Sequence, residues 1–159
     1  MKQLRRGVMR KNDRTAYIDA MREMDIHKML RHPHIIRLHE VIDDAQDDKA
    51  FLIMDYAQIG RIMEHQRDTN TFAYLGKPDY FLPEKDVRMY AEQILRALVY
   101  LHNKKIMHLD LKPQNILIDH GSVAKIADFG TSQIFYQEDM DQILSHRGTW
   151  EFMAPECYK

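Results

Sequence analysis

The eight residues His108-Leu109-Asp110-Leu111-Lys112-Pro113-Gln114-Asn115 constrain this chain more than any other stretch. Asp110 offers a carboxylate that can accept a proton or a hydrogen bond. Asn115, five residues on, and Asp128 of Asp128-Phe129-Gly130 offer hard oxygen ligands. Ala154-Pro155-Glu156 follows in the same order along the chain. One short motif can arise by chance, but three in a fixed order do so far less often. A chain that brings these groups together needs a scaffold before and after the segment, and the flanking sequence supplies one.

Residues 84–103 give the clearest helix. Val87, Ala91, Ile94, Leu95, Leu98 and Leu101 lie on one face, and Glu84 and Asp86 sit in the first turn, where the helix dipole favours anions. After the motif, residues 115–117 and 124–127 read as short strands around a turn at Asp119-His120-Gly121. Upstream, residues 15–31 read as a helix with Ile18, Met21, Ile26, Met29 and Leu30 as its stripe. It should stop before His32-Pro33, because proline disfavours helix in the residue before it. Residues 35–42 and 50–56 read as strands joined by a polar loop. Residues 60–83 read as an irregular connector with some helix. Residues 131–150 show no periodicity, as expected of a mobile loop.

At 159 residues, with 45% hydrophobic and 30% charged side chains, the chain can bury one core. Its net charge of −1 gives no basis for non-specific nucleic-acid or membrane binding. The single cysteine, Cys157, excludes an internal disulfide framework and suits a reducing, cytoplasmic setting. The cation-rich start has no apolar run of the kind a secretory signal needs, and no stretch approaches the ~20 apolar residues of a membrane span. The histidines are scattered, without metal-site spacing.

The three motifs together resemble the catalytic core of a serine/threonine protein kinase. Leu30-Arg31-His32-Pro33, Val41-Ile42-Asp43-Asp44, Lys125-Ile126-Ala127-Asp128-Phe129-Gly130 and Phe152-Met153-Ala154-Pro155-Glu156 bring the resemblance closest to the calcium/calmodulin-dependent protein kinase kinase family. The resemblance implies an α+β, protein kinase-like fold that is incomplete. About 1–56 would be a remnant of the small β lobe, and 57–159 the hinge and front of the large helical lobe through the activation segment. It implies transfer of the γ-phosphoryl group of ATP, with Mg2+, to a Ser/Thr hydroxyl of a protein substrate. By resemblance Asp110 is the base, and Lys112 sits beside the transferring group. Thr149 hydrogen-bonds both of them in the loop that receives the substrate, while Asn115 and Asp128 bind magnesium. Met54 is the gatekeeper, Asp55, Tyr56 and Ala57 form the adenine-binding hinge, and Leu117 packs under the ring. Lys2 and Glu23 form the ion pair that grips the phosphates. Phe129 and His108 stack in a spine linking the lobes.

Three departures from the family pattern stand out. Leu109 replaces the arginine that receives an activation-loop phosphate, so phosphorylation at Ser145 or Thr149 is not expected to activate the chain. His27 stands at a spine position that is usually apolar. The six glycines include no G-x-G-x-x-G, so nucleotide binding is expected to be weak and magnesium-dependent. An incomplete large lobe would leave apolar surface exposed or covered by a regulatory partner. A catalytically inactive, pseudokinase-like binding module is therefore the alternative reading. A small-molecule phosphotransferase is the third, opposed by Lys112-Pro113 and by the run from Gly148-Thr149 to Glu156.

Overall fold

The structure is a computed structural model that describes residues 4–10, 21, 24–43, 49–66, 71–74, 81–135 and 148–158. The first part is an antiparallel sheet of strands β1 (Leu4–Arg10), β2 (Leu38–Asp43) and β3 (Lys49–Asp55) in the order β1-β3-β2. The run Phe51-Leu52-Ile53-Met54 suits β3 to the central position, where both edges are paired. β1 carries three arginines and gives a weak strand signal. Its pairing with β3, from Leu4 opposite Asp55 to Arg10 opposite Lys49, holds it in place.

Helix α1 is described over residues 24–29 and ends before His32-Pro33, as the proline requires. Met24, His27 and Leu30 are buried at three-residue steps. Met29, expected in the apolar stripe, is instead 55% exposed. Residues 15–20, the start of the expected helix, lie outside the described residues.

The connector after β3 departs from expectation. The described residues between 60 and 83 contain no helix. Strand β4 (Gly60–Arg61) is followed by a hairpin of β5 (Met63–Gln66) and β6 (Thr71–Tyr74). Backbone pairing decides this. Ile59 and Ile62 donate their N–H groups to Ile118 and Ile116, extending the edge of a later strand, and Met63 to Gln66 then pair with Tyr74 to Thr71.

Helix α2 (Glu84–Asn103) anchors the second part. It packs on β7 (Ile106–Met107) and on β9 (Val123–Ile126), which pairs with β8 (Ile116–Asp119). β10 (Gln133–Ile134) pairs with β7 inside the stretch expected to be a loop. The core gathers Leu30, Ile35, Tyr90, Ala97, Leu101, Ile106, Ile118, Ile126 and Phe129. α2 bears two apolar stripes, and the β7 and β8–β9 strands cover only one. Tyr90, Ala97 and Leu101 are buried, whereas Val87 and Leu95 of the expected face are 48% and 59% exposed, as is Val99 at 60%. Truncating Leu101 to Ala should therefore cost about 2–5 kcal/mol by urea denaturation, and Leu95→Ala less than about 0.5 kcal/mol. Equal losses would contradict this assignment of faces.

The two parts are tied at one seam. Ile36 N–H donates to Ile126 O and Ile126 N–H to His34 O, both at 2.9 Å. Arg31 N–H donates to the Tyr100 hydroxyl at 2.8 Å, and His32 stacks on the Tyr100 ring. The end of α1 is thereby fixed against α2, which positions His27 over the site. Among the described residues no helix is long and apolar enough to cross a membrane.

Candidate active site

The segment between β7 and β8 folds back on itself. Leu109 adopts φ 64°, in the left-handed region that side chains with a Cβ disfavour, and this turns Asp110 inward. A single turn of 3₁₀ helix at Pro113–Asn115 closes the loop, and Asn115 Nδ2 donates to Asp110 O at 2.8 Å and to Asp110 Oδ2 at 3.2 Å. Lys112 Nζ reaches Asp110 Oδ2 at 2.7 Å. Lys112 Nζ also donates to Thr149 Oγ1, which donates to Asp110 Oδ1, both at 2.6 Å. Residues 110, 112 and 149, singled out in the sequence, thus meet in one hydrogen-bonded set. Burial alone would raise the Asp110 carboxyl. The hydrogen bonds from Lys112 and Thr149, the Lys112 charge and the Asn115 amide outweigh it and hold Asp110 below its ordinary value.

Gly148 makes this meeting of segments feasible. Its φ is +111°, and a Cβ there would lie 2.4 Å from Leu109 O. Sequence inspection marks Gly148 only as a neighbour of Thr149; the close approach requires the fold.

Asn115 and Asp128 are linked through the backbone, since Ala127 N–H donates to Asn115 O at 2.8 Å. Asp128 is exposed, with φ 62°. Asn115 spends its N–H groups on Asp110, which leaves its oxygen as the remaining ligand atom. Among the described residues no group of three or more His, Cys, Asp or Glu could hold a metal alone. An amide oxygen and one carboxylate fit Mg2+, which keeps several waters and binds through few protein oxygens plus phosphates.

Three rings stack behind the loop. Phe129 lies between His27, at 4.7 Å between centroids, and His108, at 4.9 Å. His27 fits this buried position because its Nε2 donates to Ile36 O at 2.6 Å. His108 Nε2 donates to Ala127 O, and Asp110 N–H donates to His108 Nδ1 at 3.3 Å, so His108 is neutral with its proton on Nε2. Burial lowers both histidines from their ordinary 6.5, more than the hydrogen bonds to Ile36 and Ala127 raise them. The neighbouring Asp128 charge raises both, while Arg31 opposes protonation of His27 and Lys112 that of His108.

Above pH 6.5 the histidines are neutral in the folded and unfolded chain alike. Below it the unfolded chain takes up protons that the folded chain refuses, so stability falls as pH falls, by at most about 1.4 kcal/mol per pH unit for each histidine. Denaturant titrations between pH 7.5 and 5.5 should show this slope, and His27→Leu should flatten it. An unchanged slope in that variant would remove His27 from the account.

Of the expected hinge, Asp55 and Ala57 are buried, Met54 is partly buried and Tyr56 is 41% exposed. Sequence inspection did not reveal how Asp55 is held: its Oδ1 accepts from His39 Nε2 at 2.7 Å, and Lys125 Nζ lies 3.9 Å from Oδ2. Leu117 lies on β8, which pairs with β4 just after the hinge. Lys2, Glu23 and Ser145 lie outside the described residues.

The sequence profile of the protein kinase domain matches residues 1–159. Serine/threonine-protein kinase GRIK2 of Arabidopsis thaliana is 38% identical over 144 residues, covering 90% of this chain and 32% of that protein. Serine/threonine-protein kinase GRIK1 of the same plant is 37% identical over 144 residues, 90% of this chain and 33% of its own length. A calcium/calmodulin-dependent protein kinase kinase of Caenorhabditis elegans is 39% identical over 139 residues, 87% of this chain and 23% of its own length. The chain belongs to the protein kinase family. It spans about a third or less of these curated relatives, and its similarity to the Caenorhabditis elegans enzyme agrees with the resemblance read from the motifs.

Proposed function

We propose that this chain is the part of an ATP-dependent serine/threonine protein kinase that carries the phosphoryl-transfer residues, with about 1–56 as small-lobe remnant and 57–159 as hinge and front of the large lobe. One observation supports this above others: Lys112, Thr149 and Asp110 are joined by bonds of 2.6 and 2.7 Å although Thr149 is 37 residues from Lys112. Asp110 orients the acceptor hydroxyl and takes its proton late, as the new oxygen–phosphorus bond forms and the bond to the leaving ADP oxygen breaks. Its lowered pKa keeps it ionised at neutral pH, so it acts first as an orienting acceptor. Lys112 stands beside the transferring group as a fixed positive charge, and Thr149 holds both in register. Asn115 and Asp128 would hold Mg2+, which would supply neutralising charge on the phosphates. Met54, Asp55, Ala57 and Leu117 would line the adenine site, and Lys2 with Glu23 would grip the phosphates. The substrate is a protein with a Ser/Thr acceptor, and the setting is cytoplasmic.

The exposed stripe of Val87, Leu95 and Val99 favours a second reading, a non-catalytic module whose large-lobe surface is covered by a regulatory partner. Incubating the purified chain with γ-labelled ATP and a generic Ser/Thr protein substrate decides between them. Label should enter the substrate with Mg2+ and disappear with chelator. Absence of label with Mg2+ present would leave the binding module.

A further inference from the structure

Leu109 cannot receive an activation-loop phosphate, yet in the unmodified chain Thr149 is held on Asp110 by a bond of 2.6 Å. A row of contacts leads from that bond to the β5–β6 hairpin. Phe152 N–H donates to Thr149 O at 2.9 Å, closing the 3₁₀ turn Trp150–Phe152. The Phe152 ring meets Phe72 of β6 edge-on, with centroids 5.7 Å apart. His65 of β5 stands opposite Phe72 in the hairpin register and lies edge-on to it at 5.2 Å. The hairpin is itself anchored. Ala73 is buried, and β5 packs against the 3₁₀ turn Pro113–Asn115 in the loop that carries Asp110. The row therefore starts on the Asp110 loop and returns to Asp110 through Phe72, Phe152 and Thr149.

Trp150 is 57% and Phe152 38% exposed, so burial holds this turn weakly. An edge-on ring pair adds direction as well as attraction. Thr149 moves with the turn, because its carbonyl is bonded to Phe152 N–H. Shifting Thr149 lengthens the bond that orients Asp110, and reaction rate depends steeply on such placement. We propose that Phe72 is a positioning residue for phosphoryl transfer: through Phe152 the β5–β6 hairpin braces Thr149 against Asp110, in place of the phosphate–arginine contact that Leu109 excludes. This rests on the kinase reading above for the role of Asp110.

The test uses the purified chain with Mg2+, ATP and a generic Ser/Thr protein substrate. Phe72→Ala should lower kcat by about 2- to 10-fold, the range of one edge-on ring pair, with KM for ATP unchanged. Phe72→Tyr keeps the ring and should match the parent. In a Thr149→Val background, which lacks the bond to Asp110, Phe72→Ala should cost nothing further. A merely structural Phe72 would lower the rate in both backgrounds. Trp150 is the only tryptophan in the chain, so the decay of its emission anisotropy reads the turn without turnover. Phe72→Ala should speed that decay. Phe81→Ala, 89% exposed and outside the row, should leave both the decay and kcat as in the parent. If Phe72→Ala loses its circular-dichroism signal, Phe72→Leu, which keeps apolar volume but no ring, carries the same readouts. A parental kcat or a parental decay in the folded variant, or an undiminished loss in the Thr149→Val background, would overturn the proposal. A parent chain that transfers no phosphate while the Phe72 variant still speeds the decay would overturn the kinase reading and leave the brace standing.

Discussion

Asp110→Asn should lower phosphoryl transfer by about 10²- to 10⁴-fold, the range of a lost general base, while the chain stays folded. The substitution keeps an oxygen that can accept from Thr149 Oγ1 or Lys112 Nζ, and the side chain keeps its shape. It removes the charge that orients a hydroxyl and receives its proton. Asn115 still reaches the main-chain oxygen of residue 110, so the loop retains its closing bond at 2.8 Å. Far-ultraviolet circular dichroism should match the parent, and a Michaelis analysis should place the loss in kcat. A variant that transfers phosphate at the parent rate would sink Asp110 as base. A variant that unfolds would show instead that its charge holds Lys112 and Thr149 in place.

Gly148→Ala should be the most damaging of the alanine substitutions at Gly60, Gly121 and Gly148. The new Cβ would sit 2.4 Å from Leu109 O, and the backbone at φ +111° is one that L side chains rarely adopt. Leu109 is itself left-handed at φ 64°, so little slack remains on its side. Strain of this kind costs about 1–3 kcal/mol. Relieving the overlap by moving Thr149 away from Asp110 would misplace it, and a misplacement of about 1 Å can cost 10²-fold in rate. Gly121→Ala is the control. Its φ is +71°, yet nothing lies within 4 Å of its added Cβ. It should lower stability by about 1 kcal/mol and leave kcat alone. Equal kinetic losses in the two variants would remove the Leu109–Gly148 contact as their cause.

Leu109 also bears on regulation. The sequence alone shows that the expected phosphate-receiving arginine is absent. The structure adds that the Thr149 hydroxyl is engaged by both Lys112 and Asp110. A phosphate there would set a dianion against the Asp110 carboxylate, which strengthens the expectation that modifying Thr149 does not activate.

The elements with strong local signals were legible in the sequence. α2 spans the 84–103 read from its periodicity, α1 stops at the proline, and β8 and β9 flank the expected turn. Residues 108–115, with Asp128-Phe129-Gly130 and Ala154-Pro155-Glu156, carried the resemblance to the protein kinase family, to which the chain belongs. Tertiary structure decided what depends on partners distant in sequence. Which apolar residues of α2 are buried depends on the strands that cover it, since Val87 and Leu95 share their expected face with the buried Leu101 yet stay exposed. The hairpin at β5–β6 forms where an irregular connector was expected, because backbone bonds to Ile116 and Ile118 set its start. A histidine fits the buried position 27 because Ile36 O is within reach of its Nε2, and glycine is required at 148 because Leu109 O is so close. Side-chain identity is local and can be read from the chain. Burial, hydrogen-bond satisfaction and steric clearance belong to pairs of residues that only the folded chain brings together.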